Sequence, residues 1–215
     1  METLKGDHLK QCAESGTPLV FFDRHVKGLP KTGKVLIDDF HGGYLATEHL
    51  ILKGCKKVAH FSGPQNLEIY KNRLAGYLSA IEKYGLENNG DLIFPSRLME
   101  SDGHALAGKL LEKGGDVDGI FCANDLVAIG AMKGLKTLGK NIPDDIAIVG
   151  FSNEPISGII EPNLTTIDQS GEAIGREACE MLLQNVANMD SPVKNKTVIL
   201  NPKLIERESS NRRRK

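Results

Sequence analysis

The sequence has almost no net charge. Twenty-seven Lys and Arg stand against 28 Asp and Glu, a formal balance of −1. A protein that coats nucleic acid carries a basic surplus, and none exists here. The one basic cluster, Arg212 to Lys215, follows Ser209-Ser210-Asn211 and reads as a solvated tail. No apolar run approaches the roughly 20 residues of a membrane span. The opening "METLKGDHLKQCAESG" lacks the basic end and apolar stretch of a secretory leader. The N-x-T sequons at Asn163 and Asn195 therefore read as chance. Cysteine is scarce: Cys12, Cys55, Cys122 and Cys179 show no C-x-x-C spacing. Cys55, Cys122 and Cys179 sit in or beside apolar segments, as reduced core cysteines do. These absences lead to the expectation of a cytoplasmic protein with no membrane partner.

Chemical fingerprints are missing too. No G-x-G-x-x-G follows a strand and there is no P-loop, so nucleotide-cofactor binding has no signature. No G-x-S-x-G elbow marks a hydrolase. The six His form no H-E-x-x-H pair. "VLIDD" looks like a receiver's phosphoacceptor strand but stands in the wrong order in the chain. The expectation is no cofactor, no metal and no enzyme activity.

What is present is a rhythm. Strands are expected at 18–24, 34–39, 56–63, 91–96, 118–124, 144–153 and, in extended form around Pro202, at 196–207. Helices are expected at 41–54, 72–85, 103–114, 125–139 and 171–188. The strands are continuous apolar runs, which means burial on both faces, as in a parallel sheet covered by helices. Alternation with short joints implies an α/β fold of doubly wound parallel sheets. The connections Gly139–Ile142 and Glu154–Leu164 are the loosest places. Gly130 and Gly134, four apart on one helix, suit either core packing or a subunit interface.

In open α/β sheets, ligands bind outside the carboxyl ends of the strands. Those ends read Asp23-Arg24, Asp38-Asp39, Ser62-Gly63-Pro64, Pro95-Ser96, Asn124-Asp125 and Ser152-Asn153. Each pair is ordinary turn or cap chemistry on its own; recurrence at one edge points to a site. In "GIFCANDLVAIGAM", capping needs only one of Asn124 and Asp125. Arg73 lies in the first turns of a helix, where a cation opposes the macrodipole. It is either simply solvated or turned to the crevice, donating a fork of hydrogen bonds to a ligand.

"VFFDR", "GGYLATEHLILKG", "VAHFSGP", "RLAGY", "FCANDLVAIGAM", "IPDDIAIVGFSNEP", "LTTIDQ" and "LIERESS" occur in this order. From about Pro18 to Ser210 the chain resembles the effector-binding core of the lactose/galactose-repressor (LacI/GalR) family of bacterial regulators. That resemblance implies a periplasmic-binding-protein-like (type I) fold of two subdomains. Residues 1–37 plus 169–196 would form a partial first subdomain, and 38–168 plus 197–211 a complete second one, with 212–215 as the tail. Members begin with a helix-turn-helix headpiece and further βα units, so the chain is expected to be N-terminally truncated.

The resemblance implies ligand contacts at Arg73, Asn124, Asp23 and Gln169, with Asp125 as the helix cap. Leu98 stands where relatives often carry an aromatic that stacks on a sugar. Ser152 stands where many carry an Asp that accepts from hydroxyls, which puts a typical hexose in doubt. The implied function is effector sensing and dimerisation: a homodimer binding a small, sugar-like effector. Operator DNA would be bound only in the full-length protein. The alternative is a periplasmic-type sugar-binding protein.

Overall fold

The computed structural model describes residues 7–26, 28–29, 31–87, 90–113, 116–188 and 196–212. The chain divides into two compact units. The first takes the residues up to Asp38 together with Ser170–Asn201; the second takes Asp39–Gln169 and the chain from Pro202. The backbone therefore passes from one unit to the other three times.

The first unit holds α1 (Asp7–Glu14), β1 (Leu19–Phe22) and β2 (Thr32–Ile37), joined late in the chain by α6 (Gly171–Ala187) and β8 (Thr197–Leu200). Its three strands are parallel, in the order β1-β2-β8. Val35 and Ile37 pack with Ile174, Ala178 and Met181 of α6 into a small core. Helix α1 has no counterpart among the helices expected from the sequence.

The second unit holds α2 (Asp39–Leu52), β3 (Val58–Ser62), α3 (Glu68–Lys83), β4 (Ile93–Pro95), α4 (Glu100–Glu112), β5 (Gly119–Cys122), α5 (Asp125–Thr137), β6 (Ala147–Ser152), β7 (Thr165–Asp168) and β9 (Lys203–Ile205). The sheet order is β4-β3-β5-β6-β7-β9. All pairings are parallel except β7 with β9. β3 and β5 are buried along their whole length, as continuous apolar runs imply. Residues of α2 and α3 pack with Val58, Phe121, Val149 and Phe151 on one face. Residues of α4 and α5 pack with Phe61, Ile120, Cys122 and Ile148 on the other. This is the doubly wound arrangement expected, with one antiparallel edge strand added.

Helices α4 and α5 meet closely through glycine. A Cβ on Gly130 would lie 1.9 Å from the Glu100 carbonyl oxygen, and one on Gly134 would lie 2.8 Å from that of His104. The small residues of α5 thus serve packing within the unit, which decides between the two uses open from the sequence.

Five expectations are corrected. First, 197–200 pairs with β2 and belongs to the first unit, so the run 196–207 is two strands in two sheets. Pro202, which cannot donate to a ladder, lies where the chain leaves one sheet for the other. Second, β7, "TTID", is a strand where none was expected, and Thr165 and Thr166 are buried with their hydroxyls bonded. Third, the Glu154–Leu164 connection is not loose. Arg207 donates to Asn153 Oδ1 (2.7 Å), Ser157 Oγ (3.0 Å) and the Leu164 carbonyl (2.7 Å). Fourth, Arg212 is no solvated tail residue: it reaches Asp118 Oδ2 at 3.1 Å and lies 3.5 Å from Cys55 Sγ. The rest of that tail, 213–215, lies outside the described residues. Fifth, Cys179 is exposed on α6, whereas Cys55 and Cys122 are buried. Burial pushes the Cys55 thiol up to about 12 and the Cys122 thiol well up too, so both stay protonated.

Candidate functional site

The site is built on Arg73. Its position on the first half of α3 turns it inward, and it is only 3% exposed. A guanidinium at that depth needs partners. Nε donates to Asp39 Oδ1 at 2.8 Å, and Nη1 donates to the Ala123 carbonyl at 2.7 Å. The guanidinium carbon lies over the Phe151 ring, 3.6 Å from its centre, and 5.4 Å from the centre of the Tyr70 ring. The solvated reading of Arg73 is therefore excluded. Asp39, the first residue of α2, is buried beside it. Its acid charge at a helix start is favourable in itself, which hides its second role from a reading of the sequence.

Ala123 precedes Asn124 at the end of β5. Asn124 is the N-cap of α5: its φ of −153° is extended, and its Oδ1 accepts from the Val127 amide at 2.9 Å. Its Nδ2 donates to the Leu98 carbonyl at 3.1 Å. This reverses the expected roles, in which Asp125 was the cap. The Asp125 side chain instead turns into the unit and is fully buried. Its carboxylate accepts from Thr166 Oγ1 at 2.6 Å and from the Glu154 amide at 2.8 Å. Burial raises its pKa, and the two hydrogen bonds oppose that rise. Gly150 makes the room: a Cβ there would lie 2.2 Å from Asp125 Oδ1.

Ser152 ends β6, one residue past the Phe151 ring that supports Arg73. Ser152 has φ 126° and Asn153 φ 54°, both positive and neither a glycine. Such backbone costs on the order of 1–3 kcal/mol per residue and persists only where the surroundings hold it. Asp125 holds the following amide, and Arg207 holds Asn153 Oδ1. Gln169, just past β7, donates Nε2 to Ser152 Oγ at 2.7 Å.

Of the six residues singled out from the sequence, Asn124 bonds Leu98 and Ser152 bonds Gln169, while Arg73 reaches Ala123 and Phe151, the neighbours of Asn124 and Ser152 in the chain. Leu98 departs from its expected place. Its side chain is 4% exposed and packs in the core, so its carbonyl is what it brings to the edge. Asp23 belongs to the first unit, with φ 60° and a half-exposed carboxylate 3.7 Å from Arg24 Nε. The buried roles of Asp39, Asp125, Phe151 and Arg207 were not legible in the sequence because their partners are distant in it.

Beneath the edge, His60 Nε2 and Ser62 Oγ are buried with no hydrogen-bond partner. His60 Nδ1 lies 3.0 Å from the Phe121 carbonyl. A carbonyl only accepts, so Nδ1 carries the proton and Nε2 is the bare acceptor. The ring is stacked between Phe121 (4.6 Å) and Tyr77 (5.1 Å). Burial depresses its pKa to about 4, so it is neutral at pH 7. Among the described residues no group of His, Cys, Asp and Glu is placed to hold a metal ion, and no helix is long and apolar enough to cross a membrane.

Fold and edge together are those of a ligand-binding α/β core, and comparison with known proteins supplies the family. Residues 47–210 match the periplasmic binding protein-like domain, and the chain belongs to that family. Its structural neighbours include LacI family transcriptional regulators. The HTH-type transcriptional repressor PurR of Mannheimia succiniciproducens is 32% identical over 84% of this chain and 53% of its own length. Among solved structures, a LacI family transcriptional regulator from Enterococcus faecium with bound ribose superposes with a TM-score of 0.85 at 28% identity, over 96% of this chain and 76% of that one. The transcriptional regulator CelR in complex with cellobiose gives 0.83 at 30% identity, over 91% and 60%. The chain spans about half the length of the curated relatives it matches.

Proposed function

We propose that the chain is the effector-sensing core of a bacterial transcription regulator, binding a small, sugar-like molecule at the carboxyl edge described above. The observation that carries this is the buried Arg73 assembly. An ion pair, a carbonyl and an aromatic ring hold one guanidinium rigidly beside the helix cap Asn124, and a strained Ser152 completes the row. Arg73, Asn124, Ser152 and Gln169 would contact the ligand from this unit. Pre-organised donors of this kind bind with less ordering cost.

The mechanism is linkage. A ligand that prefers one conformational state of the protein shifts the population of states, and with it would shift the affinity for operator DNA. DNA contact would belong to a headpiece in the full-length protein, acting as a cytoplasmic homodimer. The chain would act by binding rather than by turnover, as its relatives are regulators rather than enzymes. The same relatives leave less support for a periplasmic-type sugar carrier.

The test is a thermal-shift and calorimetric screen of the chain against sugars, sugar acids and sugar phosphates. A saturable shift abolished by Asn124→Ala together with Gln169→Ala supports the proposal. A screen in which no compound binds at this edge overturns it.

A further inference from the structure

His60 and Ser62 stand two residues apart on β3, so their side chains leave the same face of the sheet. That face is the one covered by α3, since the His60 ring is stacked against Tyr77. The two residues are 0% and 1% exposed. His60 Nε2 and Ser62 Oγ each lack a hydrogen-bond partner, and they do not bond each other. Among the described residues no other buried side-chain nitrogen or oxygen is left in that position. Buried polar atoms are almost always paired, so two orphans side by side call for a partner.

The surrounding groups do not supply one. The Tyr77 hydroxyl donates to the Val58 carbonyl at 2.8 Å. Arg73 directs Nε to Asp39 and Nη1 to the Ala123 carbonyl. The Ser62 carbonyl accepts from the Ser96 amide, and the Phe61 carbonyl from the Ala123 amide, both at 2.9 Å. The Phe121 carbonyl takes the Nδ1 proton of His60, which leaves Nε2 a pure acceptor. Protonating Nε2 would bury a second cation near Arg73; burial first, and then that charge, hold the ring neutral. A metal ion is a poor match, because a neutral imidazole and a neutral hydroxyl bring no charge to it.

What the pair matches is a small molecule that both donates and accepts. Nε2 requires a donor, and Ser62 Oγ serves in either sense. Side chains two residues apart on a strand start about 6.6 Å from each other. One molecule with a bond of about 2.8 Å to each partner bridges polar atoms up to about 5.6 Å apart. Buried waters do this in folded proteins, bonding to polar groups that are otherwise unpaired.

We propose that β3 carries a binding site for one water molecule, enclosed beneath α3 between His60 Nε2 and Ser62 Oγ. The water donates one proton to Nε2 and makes its second bond with the Ser62 hydroxyl. It belongs to the interior of the second unit, and its presence does not depend on the effector-binding reading above.

The experiment is nuclear magnetic resonance on the ¹⁵N-labelled chain at pH 7. Nδ1 should carry the proton, and Nε2 should resonate as a hydrogen-bonded acceptor. The two ring protons flanking Nε2 should show cross-peaks to a long-lived water. A bonded Nε2 without those cross-peaks would assign the bond to the Ser62 hydroxyl directly and overturn the proposal. An unbonded Nε2, or a protonated one, overturns it as well. Ser62→Ala removes one of the two anchors, and the residence time of the water should shorten roughly fivefold or more. An unchanged residence time would remove Ser62 from the site and the bridge with it. The wild-type spectra decide the matter even where the variant does not fold.

Discussion

Arg73 Nε donates to Asp39 Oδ1 at 2.8 Å, with the two side chains only 3% and 8% exposed. A buried pair of this kind is weak support for stability as a pair, because both charges were taken out of water. Removing one partner is another matter, since it strands the other charge. Arg73→Ala should cost about 3–5 kcal/mol in urea unfolding, and Asp39→Asn a comparable amount. The double variant should cost clearly less than the sum. Strict additivity would show that the pair carries no coupling.

Asn124 joins two roles that separate substitutions can divide. Asn124→Ala removes the cap of α5 and should lower stability by about 1 kcal/mol. Asn124→Asp keeps an oxygen for the Val127 amide but loses the Nδ2 donor to the Leu98 carbonyl. It should fold near wild type while weakening ligand binding. A loss of binding with Asn124→Ala but none with Asn124→Asp would assign Asn124 to the helix alone.

His60 sets an acid limit. Its pKa falls from 6.5 in the unfolded chain to about 4 in the fold. Between those values the unfolded state binds more protons, so stability rises with pH. The contribution is complete above about pH 6.5 and is lost as the pH drops toward 4, a change of about 3 kcal/mol. His60→Phe should flatten that part of the pH–stability curve, measured by urea midpoints from pH 4 to 7. An unchanged slope would show that the ring protonates in the fold as it does in the open chain.

Arg207 holds the segment after β6 through Asn153, Ser157 and Leu164. Arg207→Met keeps much of the apolar stem and removes all three bonds. Amide exchange across 153–164 should speed up by at least tenfold, with α2 and α3 unaffected. Ser152 immediately precedes this segment, so ligand affinity should fall with it. Unchanged exchange would make the arginine a surface decoration.

The sequence alone determined the architecture. Continuous apolar strands and helical patterns report a sheet buried on both faces, because burial and period are local properties of a chain. It also marked strand ends and helix starts, because these carry polar residues wherever they fall: Asn124 caps α5 and Ser152 ends β6. The tertiary structure decided what each group does at that edge. Asn124 and Asp125 are adjacent and both able to cap, and only the space beside Gly150 and the Thr166 hydroxyl sends Asp125 inward. Arg73 has the sequence context of a solvated residue, and only Asp39, 34 positions earlier, and Phe151, brought close by the sheet, make it a buried one. The exchange of strands 197–200 and 203–205 between two sheets is likewise invisible in a run that is extended throughout. Pairing across the chain depends on partners far apart in sequence, and one chain's local pattern does not encode which of several compatible partners it meets.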